Sequence, residues 1–166
     1  MAQQTLETLF HETLKDIYYA ERKIGSALRK MARAANDPDL KSAFETHEQE
    51  TQAQYERLSD VFDAIGKQPR GKTCDAIEGI IAEAREIMDE FKDSPALDAG
   101  LLAAAQAVEH YEIARYGTLR TWAQQLGLTE AAKLLEQTLQ EESATDEILT
   151  NLAEKVVNAK AKGEAA

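Results

Sequence analysis

EHYEIARYGTLRTWAQQLG, residues 109–127, is the stretch whose reading decides the fold. Val108, Glu112, Arg115, Leu119, Trp122 and Leu126 recur at steps of three and four residues, the spacing of one helix face. Leu101 and Ala105 extend that face toward the N-terminus, and Gly127 closes it. Glu112 interrupts the apolar seam near mid-helix. A carboxylate in a dry seam costs several kcal/mol unless it is paired or bound to a cation.

Three more seams carry the same kind of interruption. Glu21 sits among Ile17, Ile24, Leu28 and Met31. His47 follows Leu40 and Phe44 and precedes Leu58 and Val61. Glu142 lies between Leu135 and Leu149. Four helical seams broken at one level describe a four-helix bundle with a metal site in its interior.

Turn signals divide the chain into helices at about residues 3–35, 38–65, 75–91, 96–126 and 129–159. Asn36, Asp37 and Pro38 make a tight turn, with Pro38 suited to a first helical turn. Gly66 and the loop GKQPRGKT, residues 66–73, end the second helix. Thr129 is the expected N-cap of the last helix, and the polar tail 160–166 is expected to fray. Two antiparallel hairpins joined by a long crossover carrying a short helix form a ferritin-like arrangement within one domain, residues 1–166. Placing Glu21 on Glu112 also puts Ile17 on Val108, Phe44 on Leu135 and Leu58 on Leu149, a weak internal repeat.

Composition agrees with an all-α domain. The 166 residues are 43% hydrophobic and 30% charged, with only 3 Pro and 8 Gly. A net charge of −11 argues against nucleic acid and against an anionic membrane surface. No apolar run is long enough to span a membrane, and the N-terminus lacks the pattern of a signal peptide. The single cysteine, Cys74, excludes an intrachain disulfide, and a reducing cytoplasm is the simplest compartment.

Height along the bundle follows from counting residues from the turns. Glu21 and Glu50 lie about fifteen and fourteen residues from the first turn, and Glu112 and Glu142 about as far from the second. Short spacings add further ligands. His47 and Glu50 are one turn apart, as are Glu109 and Glu112, and Glu142 and Asp146. The candidate metal ligands are therefore Glu21, His47, Glu50, Glu109, Glu112, Glu142 and Asp146, with Glu141 replacing Glu142 if the helix is rotated. An oxygen-rich set with one imidazole suits iron, with manganese as the alternative.

At these residues the chain resembles the YciE/YciF family, also called DUF892, of bacterial stress-associated ferritin-like proteins. The matching pieces are DIYYAE at 16–21, HEQET at 47–51, KTCDAIEGIIAE at 72–83, residues 109–127 as quoted above, and LLEQTLQEESATDEIL at 134–149. The resemblance implies a four-helix bundle, a homodimer and a di-metal centre. It implies no reaction. Glu109-x-x-Glu112 is more distantly similar to the paired glutamates of rubrerythrin-like di-iron proteins. The usual Glu-x-x-His pair departs here: the second helix has His47-x-x-Glu50, and the fourth has Glu142-x-x-Thr145. If the centre is redox-active, peroxide or dioxygen is the expected substrate.

Metal-free readings compete with this one. Glu112 and Arg115, one turn apart, read alternatively as a buried ion pair within a structural stress protein. Tyr111 and Tyr116 read as packing residues near the site. Leu102, Ile113 and Tyr116 read as apolar outer positions on which two copies pair. His110 reads as a surface residue and Cys74 as a small semi-buried one.

Overall fold

The computed structural model describes residues 4–163. Thr5 caps the first helix by accepting the Thr8 N–H, and α1 runs from Leu6 to Ala34. The expected start near residue 3 lies outside the described residues. Asp37 caps α2, Pro38–Ala64, by accepting the N–H groups of Asp39 and Leu40, with Pro38 in the first turn as the sequence predicts. Gly66 ends it at φ 66°, a conformation that glycine adopts without strain. The crossover carries α3, Asp75–Glu90, and α4 spans Leu97–Gln125.

Thr129 is not the cap of the next helix. Gly127, at φ 71°, closes α4, and the Leu128 N–H reaches back to the Ala123 carbonyl at 2.8 Å. That closure fixes Leu128 at the cap position, so Thr129 is already the first residue of α5, Thr129–Leu152. The tail is corrected as well. The chain continues through a π-helical turn, Ala153–Val157, into α6, Asn158–Lys162. Lys160 Nζ meets Asp37 Oδ2 at 2.7 Å, which ties residues 160–162 to the first turn. Residues 164–166 lie outside the described residues.

Helix α1 packs against α2 and α4, and α5 packs against α4 and α2. This is the four-helix bundle of two hairpins. Helix α3 lies across α1 and α4 through Ile77, Ile81 and Ala84 and closes that side. No helix of the described residues is long and apolar enough to cross a membrane. The apolar interior includes Phe10, Leu14, Ile17, Phe44, Leu101 and Leu135. Leu102 and Tyr116 belong to it too, so they are not outer positions on which a second copy could pack. Their face of α4 is turned inward because the helix is covered on three sides, by α1, α3 and α5.

Candidate metal centre

Four helices deliver side chains to one level of the core. Glu21 comes from α1, His47 from α2, Glu109 and Glu112 from α4, and Glu142 from α5. All five are buried. Each lies on the inward face of its helix because the seam residues one or two turns away, such as Ile24, Phe44, Val108 and Leu135, are themselves core residues.

His47 Nε2 stands 2.7 Å from Glu109 Oε1 and 3.8 Å from Glu142 Oε2. One donor atom from each of His47, Glu109, Glu112 and Glu142 falls within 4.8 Å of the others. Glu21 adjoins Glu112. One Glu21 oxygen accepts a hydrogen bond from the Tyr116 hydroxyl, and the other has no hydrogen-bond partner. Tyr116 is thus more than a packing residue. It orients a carboxylate of the set.

The electrostatics are those of acids crowded away from water. Burial pushes the Glu21 carboxyl up to about 7, although the Tyr116 hydrogen bond works against the shift. Burial and the neighbouring carboxylates push Glu112 and Glu142 well above the ordinary range. Burial favours neutral His47, but Glu109, Glu50 and Glu142 outweigh it and raise the imidazole well above its ordinary value. The Tyr116 phenol is raised by burial and by Glu21.

Hydrogen bonding leaves the set unsatisfied. Among the described residues, twelve buried side-chain nitrogen or oxygen atoms have no hydrogen-bond partner, and nine of them belong to Glu21, His47, Glu109, Glu112 and Glu142. His47 and Glu109 approach closely without aligning a hydrogen bond. Buried polar atoms are nearly always paired, so nine orphans at one place need a common partner. His47, Glu109, Glu112 and Glu142 could hold a metal ion between them, and carboxylates with an imidazole are donors of the kind that iron and manganese accept.

The other sequence candidates lie elsewhere. Glu50 sits at the edge, 44% exposed, with Oε2 3.6 Å from His47 Nδ1. Asp146 contacts Gln106 and His110 on α4 and is not brought to the set. Glu141 pairs with Arg57 at 2.8 Å, which settles that Glu142 is the inward residue of the two. Arg115 does not neutralise Glu112. Its guanidinium lies 5.4 Å from the centre of the Tyr111 ring, and the Tyr111 hydroxyl contacts Cys74 Sγ at 3.1 Å.

The family model described as a domain of unknown function, DUF892, matches residues 5–162. The chain belongs to this family. Among its DUF892 relatives is Protein YciF of Escherichia coli (strain K12), 46% identical over 99% of this chain and all of the relative. The solved structure of YciF, described as a stress protein, matches with a TM-score of 0.89 and covers 94% of this chain and 99% of its own. A second solved structure is YcfI of Rhodopseudomonas palustris, described as a proposed structural protein. It is 48% identical, covers 89% of this chain and 94% of its own, and has a TM-score of 0.85. A Xanthomonas campestris protein, 25% identical with a TM-score of 0.71, shares the fold over 96% of this chain and 98% of its own.

Proposed function

We propose that the chain binds a pair of iron or manganese ions in the bundle core and acts in a stress response as a homodimer. The carrying observation is the set of nine buried, unpartnered donor atoms on Glu21, His47, Glu109, Glu112 and Glu142. Bound iron or manganese would supply one-electron chemistry toward peroxide or dioxygen. Within the protein, Glu109, Glu112 and Glu142 would hold the ions, His47 would add a nitrogen donor, and Tyr116 would aim Glu21. The surrounding Ile17, Ile24, Val108 and Leu135 would keep bulk water out.

A non-catalytic structural role is the competing reading. It is favoured by the description of the Rhodopseudomonas relative and by Thr145 standing where a second histidine would complete the usual pattern. Metal analysis of the full chain, purified without added metal, separates the two. The metal reading expects roughly two ions per chain, and Glu112→Gln lowers that content sharply. Trace metal that Glu112→Gln leaves unchanged would establish the structural reading instead. Where metal is present, peroxide consumption by the loaded protein then tests for catalysis.

A further inference from the structure

His47, Glu109, Glu112 and Glu142 are at most 3% exposed, so an ion bound there has to pass through the protein surface. Helix α3 covers the α1–α4 side. Two clefts reach the donor set from other sides, and they differ in charge.

The cleft between α1 and α2, about 500 Å³, reaches Glu21 and Thr51. Arg22, Lys23 and Arg29 line it. Lys23 and Arg29 are paired with Glu78 and Glu48, while Arg22 is exposed at its rim. A cation taking this route passes the Arg22 guanidinium and two cationic groups already paired with carboxylates.

The groove between α2 and α5, about 280 Å³, has no lysine or arginine among the described residues that line it. Asp39, Ser42, Thr46 and Glu50 recur at steps of three and four residues along α2 and set a line of oxygen atoms on one wall. Ile148, Leu149 and Leu152 make the facing wall from α5. His47 lies at the inner end, and its buried Nδ1 has no hydrogen-bond partner. Glu50 stands between the two environments. It is 44% exposed, its Oε2 is 3.6 Å from His47 Nδ1, and the same oxygen accepts a long hydrogen bond of 3.4 Å from Thr145.

We infer that the α2–α5 groove is the loading port of the centre, in which Glu50 takes a divalent cation from solvent and delivers it to His47. The inference rests on the metal reading of the buried set. Hard divalent cations accept carboxylate and hydroxyl oxygens first, and iron and manganese also accept imidazole. The order of groups along the groove matches that sequence of ligands. Glu50 is then a positioning residue for entry and not a permanent ligand.

Stopped-flow uptake of Co²⁺ by the chelator-stripped full chain tests this, with the Co²⁺ absorption bands reporting arrival at the buried donors. Glu50→Gln is expected to slow both uptake and release by roughly tenfold while leaving the number of ions bound unchanged. Ile148→Trp, which fills the groove from an exposed position, slows uptake as well, whereas Arg22→Gln leaves it unchanged. Unaltered uptake in Glu50→Gln and Ile148→Trp would overturn the port and leave the metal reading standing. Loss of a bound ion in Glu50→Gln would also overturn it, making Glu50 a ligand, and faster uptake in Arg22→Gln would move the entrance to the α1–α2 cleft. A wild-type chain that takes up no Co²⁺ removes the metal reading itself. Circular dichroism of each variant confirms that the bundle is retained.

Discussion

Glu21 offers one oxygen to Tyr116 and leaves the other without a partner inside the bundle. Tyr116→Phe keeps the ring and removes only the donor. It is expected to destabilise the metal-free chain by roughly 1–3 kcal/mol, because the acceptor stays buried, and to lower metal content. Tyr111→Phe is the control: its hydroxyl meets Cys74 and not the set, so metal content stays at the wild-type level. Denaturant unfolding and metal analysis of both variants check this, and equal metal loss in the two would contradict the role given to Tyr116. The buried donors Glu21, His47, Glu112 and Glu142 were legible in the sequence as breaks in apolar seams. Spacing alone could not separate Glu109 from Asp146, since each is about one turn from a buried glutamate. What separates them is the neighbouring helix: Glu109 meets His47 from α2, while Asp146 is turned toward Gln106 and His110. Tyr116 was visible only as an aromatic near the site, because a hydrogen bond spanning residues 21 and 116 has no local signature.

Between elements, the Ile87 side chain of α3 packs directly against Gly100 of α4. A Cβ added at Gly100 would lie 2.6 Å from Ile87 Cγ2, inside contact distance. Alanine in a helix gains up to about 1 kcal/mol over glycine, but the overlap forces α3 outward. Gly100→Ala is therefore expected to be net destabilising by about 1–3 kcal/mol, with the loss relieved in an Ile87→Ala background. A double-mutant cycle by urea unfolding measures the coupling, and a stabilising Gly100→Ala in the wild-type background would contradict it. The hairpins were legible because their turns are local: Pro38, Gly66 and Gly127 each act within a few residues. The end of the chain was not. AKAKGEAA, residues 159–166, reads as a solvated tail, yet Lys160 is held by Asp37, 123 positions earlier in the sequence. Asp98 is a similar long-range tie, accepting the Asn36 and Asp37 N–H groups at 2.8 Å each.

For the molecule as a whole, the formal charge of −11 at pH 7 counts every glutamate as ionised. The metal-free core opposes that count. The Glu21 carboxyl is raised to about 7 by burial, and Glu112 and Glu142 move the same way. Between the ordinary carboxylate range and these raised values, the folded chain keeps protons that the unfolded chain has released. Stability from such groups is fully present at low pH and is lost as pH rises through the folded values. His47, also raised, contributes with the same sign, because its proton too is held more tightly in the folded state. The shift of Glu21 alone is worth on the order of 3 kcal/mol across this window. Metal reverses the trend, because ions take the places of the protons and bind more tightly as those protons leave. Chelator-stripped protein is therefore expected to melt at a lower temperature at pH 8 than at pH 5.5. Loaded protein gains more over the stripped form at pH 8 than at pH 5.5, and Glu21→Gln flattens the pH dependence of the stripped form. Thermal unfolding at the two pH values, with and without Mn²⁺, measures all three. Stripped protein that grows more stable between pH 5.5 and 8 would show that the buried carboxyls are ionised and paired, which is the arrangement of a structural ion network and not of a vacant-proton cation site.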